Sequence, residues 1–261
     1  MEDITLFLDL EGTIYTHGGV IDGALEALKE LRGGGATLRF LTNTDSQSTE
    51  SIIIRAASIG VDIREGELFT PVSAVKAYLY DNPDALIFPL TTEAVANELA
   101  ESLILVDDPA VATHTVIGDI RTTLEYPILD AAFQSVFGGA ELIALQRGKY
   151  FLSDGRAHLD TGGIVAAIEY AAGKPATVVG KPNRAFLELA ALSIDNQPPL
   201  EKCWVVGDDA TTDIPMGKSA GMNTVQVMTG KSSLYSTSQV SDADYQIESL
   251  SYLPKLIGEI I

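Results

Sequence analysis

The sequence predicts an α/β fold, a doubly wound parallel sheet with a second, smaller α/β domain inserted into it. Two observations support this fold class. Short apolar runs, each followed by a segment with helical periodicity, recur along the chain, as they do in parallel βα units. A second group of the same kind interrupts this recurrence, and turn-forming residues flank that group. The 261 residues are enough for one large domain or two smaller ones.

The predicted core comes from the two ends of the chain. The run ITLFLDL is its first strand, and Leu25, Leu28 and Leu31 share one face of the helix after it. The glycines at 33–35 end that helix. The other core segments are the strands ATLRFLTN, ATVVGK, KCWVVGDD and NTVQVMTG, the helix STESIIIRAASIG, and helices at about 184–193 and 212–221.

Residues 77–176 are predicted to form the inserted domain, and residues 1–76 and 177–261 the core. The turn-rich stretches DNPD (81–84) and GKP (173–175) are plausible hinges between them. The inserted group consists of ALIFPL, TEAVANELAES, THTVIGD, EYPILDAAFQSVF, ELIALQ and GIVAAIEYAAG, strands alternating with helices.

The composition excludes several classes of partner. With 36 acidic and 17 basic residues the formal charge is −19, which argues against nucleic acid and anionic membranes, because phosphate backbones require clusters of Lys and Arg. Cys203 is the only cysteine, so an internal disulfide is excluded and a reducing compartment is expected. The N-terminus lacks a basic region typical of a signal peptide, and no apolar run approaches the ~18 residues needed to span a bilayer. We expect a cytoplasmic protein.

Polar residues follow the predicted core strands at the point where each strand ends. In a parallel sheet, ligands bind beyond the carboxyl ends of the strands, so we expect these side chains on one edge of the sheet. Each has a simple structural reading alone, as a turn residue, an Asx turn, a surface loop or a helix cap. The set is Asp9 and Glu11, Thr42 and Asn43, Lys181, and Asp208, Asp209 and Asp213.

Phosphoryl transfer through a carboxylate nucleophile is the chemistry that requires such a set. Asp9 and Asp208 can supply carboxylates to Mg²⁺, with a backbone carbonyl near Glu11 as a further oxygen ligand. Lys181 would neutralise the transferring group, and Asp213 would orient waters bound to the metal. Thr42 and Asn43 would hold the phosphate oxygens.

The motifs DLEGT, LTNT, VVGKPN and VVGDDATTD resemble the four motifs of the haloacid dehalogenase-like (HAD) hydrolase superfamily, in the same order. The long insertion resembles the cap domain of class IIA, the NagD-like phosphatases. Within that class, RFLTNT, ATVVGKP and GKYFLSDGRAHLDTGG are similar to two groups, haloacid dehalogenase-like hydrolase domain-containing protein 2 and phospholysine phosphohistidine inorganic pyrophosphate phosphatase. The resemblance implies a Rossmann-like core, a phosphatase activity and Mg²⁺. It also implies that Asp9 is the nucleophile, Asp208 a metal ligand and Lys181 a phosphate-binding residue.

Glu11 departs from the pattern of the superfamily, which usually has Asp two residues after the nucleophile. That residue protonates the leaving group and then activates water. Glu11 is longer by one C–C bond, about 1.5 Å, so it either bends to reach the leaving oxygen or swings away. A misplaced acid would slow turnover without abolishing phosphate and metal binding. We therefore expect a slow phosphatase.

Substrate choice is expected to depend on the inserted domain. The loop in ALQRGKYF contains Gln146, Arg147, Lys149 and Tyr150, and Arg147 is a candidate clamp for an anionic leaving group. The alternative is a set of exposed, solubilising residues on a hairpin. The loop does not match the Asn-x-Asp-like pattern common in glycolate-phosphate members of the class.

Three functions stay open from the sequence. The first is a Mg²⁺-dependent phosphatase acting on a small phosphorylated metabolite through an aspartyl-phosphate at Asp9. The second is a non-catalytic or regulatory protein that binds a phosphorylated ligand and has lost hydrolysis at Glu11. The third, a receiver-type signalling domain, is disfavoured because receivers need no insertion of this length. A homodimer is left open.

Overall fold

The computed structural model describes residues 4–153, 156–234 and 241–260. Its strands are β1 Thr5–Asp9, β2 Tyr15–Thr16, β3 Gly19–Val20, β4 Thr37–Leu41, β5 Leu68–Phe69, β6 Leu86–Leu90, β7 Ile104–Leu105, β8 His114–Ile117, β9 Glu141–Ala144, β10 Tyr150–Ser153, β11 Arg156–Leu159, β12 Thr177–Val178, β13 Cys203–Gly207, β14 Asn223–Val227 and β15 Tyr245–Ile247. Its α-helices are α1 Ala24–Gly33, α2 Thr49–Ser58, α3 Pro71–Tyr78, α4 Glu93–Ala100, α5 Tyr126–Gly138, α6 Thr161–Ala172, α7 Arg184–Leu192, α8 Asp213–Ser219, α9 Gly230–Leu234 and α10 Leu253–Ile260.

The chain divides into two compact units. The core unit contains residues 1–42, 52–69 and 187–261, and the insert unit contains residues 43–51 and 70–186. The mixed α/β class with parallel sheets is the one that the sequence predicts.

The core unit is built on a parallel sheet with the strand order β15-β14-β13-β1-β4-β5. Strands β1 and β13 are buried along their whole length, as expected for apolar runs covered on both faces of a parallel sheet. Their register pairs Leu8 with Val206, and β1 pairs Asp9 with Leu41 of β4 on its other side. The carboxyl ends of these three strands therefore lie side by side.

Helix α1 covers this sheet with the face predicted from its leucines. Leu28 and Leu31 are buried, and Leu25 is half-buried beside them. The helix ends at Gly33, and the chain then turns through Gly35, whose φ of +88° is readily adopted only by glycine. The glycine run thus ends the helix as predicted.

The insert unit has its own parallel sheet, with the strand order β12-β9-β8-β6-β7. Its predicted strands and helices form, and α5 and α6 pack together over β8 and β9 with a core that includes Val136, Leu142 and Val165. Strands β10 and β11 add an antiparallel hairpin after the sheet.

Strand β12 belongs to the insert sheet, although the sequence predicts ATVVGK as a core strand. Thr177 and Val178 pair with Ile143 and Ala144 of β9. A short apolar run does not reveal which sheet it joins, because burial on both faces looks the same in either. The unit limits at residues 70 and 186 also differ from the predicted domain limits at 77 and 176, which stay a prediction.

Candidate active site

Three aspartates meet at the carboxyl ends of the core strands. Asp9 ends β1, Asp208 follows β13, and Asp213 begins α8 one turn later. One carboxylate oxygen from each residue lies within 4.8 Å of the other two, and all three residues are buried. Neighbouring parallel strands bring these ends together, as the sequence predicts.

The loop after β1 approaches Asp208 closely at Gly12. This glycine has a φ of +93°, and a Cβ atom built on it would lie 2.3 Å from Oδ2 of Asp208. Thr13 donates its hydroxyl hydrogen to Oδ2 of Asp9 over 3.2 Å. A residue with a side chain at position 12 would therefore displace Asp208 or the loop.

The carboxylate cluster concentrates negative charge in a buried position. Burial raises the pKa of Asp208 well above its usual range, and the nearby negative charges of Asp9 and Asp213 raise it further. Asp213 accepts a hydrogen bond from the backbone N–H of Asp209 at 3.2 Å, which fixes its carboxylate. Such a group of oxygen atoms favours a bound cation.

Glu11 lies beside the cluster but is exposed to solvent. Its side chain is 47% exposed, and Oε1 lies 3.5 Å from Nε2 of His17 in the turn between β2 and β3. The longer carboxylate thus extends towards the hairpin that follows the loop.

A second loop contacts the cluster from β14. Thr229 donates its hydroxyl hydrogen to the carbonyl of Gly12 at 2.5 Å. The backbone N–H of Lys231 donates to Oδ2 of Asp208 at 2.6 Å, and Ser232 donates to the carbonyl of Asp208 at 2.5 Å. We call residues 229–232 the clamp loop, although residues 230–232 already belong to the first turn of the short helix α9.

The clamp loop is the part of the site that sequence reasoning missed. It begins at the end of NTVQVMTG, a predicted core strand, so the rule that identified Asp9 and Asp208 applies to it equally. A lysine after a strand in so acidic a chain is usually a solvated surface residue, so its residue type alone does not indicate a site. The one feature of the sequence that points to Lys231 is its position just after the end of a predicted core strand.

Asn43 and Lys181 are joined within the insert unit. The side-chain carbonyl of Asn43 accepts the backbone N–H of Lys181 at 3.0 Å, and its amide donates to the Lys181 carbonyl at 3.4 Å. Gly180 permits this approach, because a Cβ there would lie 2.1 Å from the carbonyl oxygen of Leu145. Lys181 therefore follows a strand of the insert sheet, and the expectation that it ends a strand of the core sheet is wrong.

The two remaining candidates lie in different settings. Thr42 is buried at the end of β4 in the core unit. Arg147 is exposed, and its guanidinium forms a bidentate ion pair with Glu169 of α6, at 3.0 and 2.6 Å. Its substrate-binding role stays a prediction.

Comparison with known proteins supports the resemblance seen in the motifs. Residues 6–104 match the family described as haloacid dehalogenase-like hydrolase, and residues 178–253 match the family described as HAD-hydrolase-like. Haloacid dehalogenase-like hydrolase domain-containing protein 2 of Bos taurus is 31% identical over 92% of this chain and 90% of its own length. The chain belongs to the haloacid dehalogenase-like hydrolase family.

Other relatives of this HAD-like hydrolase are named as phosphatases. Phospholysine phosphohistidine inorganic pyrophosphate phosphatase of Danio rerio is 32% identical over 87% of this chain and 83% of its own length. Sugar-phosphatase AraL of Bacillus subtilis is 29% identical over 97% and 93%. The predicted enzyme class, a HAD-like phosphatase, is confirmed.

Solved structures confirm the fold of the HAD-like hydrolase along almost its whole length. A p-nitrophenyl phosphatase from Archaeoglobus fulgidus superposes with a TM-score of 0.89 at 24% identity, over 98% of this chain and all of the other. NagD from Escherichia coli K-12 gives 0.84 at 24%, over 96% and 98%. The predicted Rossmann-like core with a class IIA cap domain is confirmed. Within the described residues, no helix combines the length and apolar character needed to cross a bilayer.

Proposed function

We propose that this HAD-like phosphatase is Mg²⁺-dependent and hydrolyses a small phosphorylated metabolite through an aspartyl-phosphate at Asp9. The observation that supports this most is the meeting of Asp9, Asp208 and Asp213 within 4.8 Å of one another in a buried position. A buried group of like charges is costly unless a cation compensates it.

The donor set fits Mg²⁺. The oxygens that meet here come from three carboxylates, which are ligands that a hard cation prefers. We propose Asp9, Asp208 and the backbone carbonyl of Glu11 as the protein ligands, with Asp213 orienting the bound waters. When bound, the ion supplies positive charge that lets an anionic carboxylate approach an anionic phosphate.

Asp9 acts as the nucleophile in the proposed reaction. Its carboxylate oxygen bonds to phosphorus while the bond between phosphorus and the leaving oxygen breaks, and Glu11 gives that oxygen its proton. Glu11 then takes a proton from a water molecule, which attacks the phosphorus and releases inorganic phosphate and free Asp9. The hydroxyl of Thr13 keeps one oxygen of Asp9 oriented throughout.

Phosphate binding is assigned to Thr42, Asn43 and Lys181. The ammonium of Lys181 would neutralise charge on the transferring group, and Thr42 would donate to its oxygens. Asn43 already holds the backbone of Lys181 through two hydrogen bonds. This contact supports a role of Asn43 in placing the lysine.

Turnover is expected to be slow because of Glu11. General acid–base assistance contributes about 10² to 10⁴ in rate, and an acid whose carboxylate lies 3.5 Å from His17 is expected to supply only part of it. The same observation supports the second candidate, a regulatory protein that binds a phosphorylated ligand without hydrolysing it.

An aryl phosphate and a panel of small phosphate esters, including sugar phosphates, test the proposal with Mg²⁺ present. We expect Asp9→Asn to abolish turnover and Glu11→Asp to increase it. Activity that persists in Asp9→Asn contradicts the mechanism. If the wild type and Glu11→Asp are both inert while phosphate and Mg²⁺ still bind, the second candidate is correct.

A further inference from the structure

The clamp loop contacts both the loop after β1 and Asp208 through its backbone and hydroxyl groups. Thr229 contacts Gly12, while Lys231 and Ser232 contact Asp208. Gly230 makes this approach feasible, because a Cβ there would lie 2.1 Å from Oδ2 of Asp208 and 2.5 Å from Cα of Gly12. The position of Lys231 next to the cluster is therefore fixed by four successive residues.

The side chain of Lys231 brings a positive charge to this cluster. Its Nζ lies 2.7 Å from Oδ2 of Asp209, whose side chain is 9% exposed. A lysine is charged at neutral pH, and here its ammonium is paired with Asp209, the residue that follows the proposed metal ligand Asp208. The lysine thus places a positive charge beside the carboxylate cluster.

We propose that Lys231 is a built-in counter-ion of the metal site. Its ammonium compensates the buried carboxylates when no divalent cation is bound, and it lowers the affinity of the site for that cation. The inference rests on the Mg²⁺ site of the proposed function and assigns its regulation to a residue outside the four motifs.

The sign of the effect follows from Coulomb's law. A fixed positive charge near the ligands repels an incoming divalent cation, and its removal strengthens binding by roughly tenfold at the effective dielectric of a partly exposed site. Without metal the same removal leaves the acids of the site with less compensation, so the metal-free protein becomes less stable. Replacing the Lys231 side chain should not displace Asp208, because Asp208 is held by the backbone N–H of residue 231, which the substitution keeps.

The test compares Mg²⁺ affinity and metal-free stability in four proteins, using titration calorimetry and thermal melts in EDTA. They are the wild type, Lys231→Met, Lys231→Arg and Lys218→Met. Lys218 is the matched control, because its Nζ pairs with Asp244 at similar exposure, 33% against 36%, away from the cluster. We expect Lys231→Met to bind Mg²⁺ roughly tenfold more tightly and to melt lower in EDTA. Lys231→Arg and Lys218→Met should bind Mg²⁺ like the wild type.

A second pair of variants covers the case in which Lys231→Met folds only with metal. Asp209→Asn removes one negative charge and should weaken Mg²⁺ binding, whereas the double variant with Lys231→Met should return towards the wild-type affinity. The inference is overturned if Lys231→Met binds Mg²⁺ no more tightly than the wild type, or if the double variant binds like Asp209→Asn. A wild type that binds no Mg²⁺ overturns the proposed metal dependence itself, and this inference with it.

Discussion

The hydroxyl of Thr161 donates to Oδ2 of Asp45 over 2.7 Å, and both side chains are buried in the insert unit. Asp45 lies two residues after the phosphate-binding candidate Asn43, and Thr161 begins helix α6. Burial raises the pKa of Asp45 to about 7, and the negative charges of Asp160 and Asp119 also raise it, although the Thr161 bond lowers it. This aspartate is therefore neutral over much of the acidic range.

The titration of Asp45 predicts a loss of stability as the pH rises. Between about pH 4 and pH 7 the folded chain keeps a proton on Asp45 that the unfolded chain has lost, so the free energy of unfolding falls across this window, by up to on the order of 4 kcal/mol. Asp45→Asn keeps an acceptor for Thr161 and removes this term. We expect its melting temperature to exceed that of the wild type at pH 8 and to match it near pH 4. If the difference in melting temperature between the two proteins stays the same from pH 4 to pH 8, the assignment is contradicted.

Gly12→Ala should damage the core site far more than a comparable glycine substitution. Position 12 combines a φ of +93° with a predicted contact of 2.3 Å to Asp208, whereas Gly19 has a φ of +114° and no atom within 4 Å of a new Cβ. Gly19→Ala should cost about 1 kcal/mol of stability from backbone strain. Gly12→Ala should cost about 1 to 3 kcal/mol more, from overpacking against Asp208, and should weaken Mg²⁺ binding. Urea unfolding measures the stability of the two variants, and calorimetry measures their Mg²⁺ binding. Equal losses of stability and of affinity in Gly12→Ala and Gly19→Ala would show that the contact with Asp208 is unimportant.

Gly180→Ala should displace Lys181. A Cβ at position 180 would lie 2.1 Å from the carbonyl oxygen of Leu145 and 3.1 Å from Oδ1 of Asn43, so the backbone must shift. We expect a loss of roughly 2 kcal/mol in stability and a higher KM for any phosphate ester. Gly138→Ala is the control, because nothing lies within 4 Å of its Cβ and alanine favours the end of helix α5. An unchanged KM in Gly180→Ala would separate Lys181 from phosphate binding.

Arg147→Ala tests the predicted clamp for an anionic leaving group. If Arg147 binds the substrate equally in the ground and transition states, its removal raises KM for esters with a charged leaving group and leaves kcat unchanged. Arg156→Ala, at another exposed arginine of the insert unit, should leave both constants unchanged. Kinetics on charged and neutral esters decide the question. Wild-type constants in Arg147→Ala would mean that its ion pair with Glu169 is only a surface contact.

Periodicity and strand ends predicted the parts of this protein that depend on local pattern. The stripe of Leu25, Leu28 and Leu31 specified α1, and the acids that follow the apolar runs ITLFL and WVVG specified the carboxylate cluster. Sheet membership was not predictable for Thr177–Val178, because two β-branched residues pair equally well with either sheet. Strands of two residues, such as Tyr15–Thr16, are too short for any alternation to appear.

The direction of Glu11 could not be predicted either. The sequence left open whether the longer carboxylate bends towards the leaving oxygen or swings away, because both rotamers fit the same motif. The contact with His17 depends on the hairpin β2–β3, which brings the histidine back beside the loop.

The pairing of β1 with β13 has a consequence for the order of folding. The first strand can pair early with β4, but Phe7 also lies beside Val205 of β13, a neighbour that the ribosome makes much later, after the whole insert unit. The insert sheet draws its strands from residues 86–178 and can complete earlier in synthesis. A nascent chain that ends before residue 203 contains Asp9 without Asp208 or Asp213. Such a chain has the proposed nucleophile but no assembled cluster, so truncated products of this gene are expected to be inert.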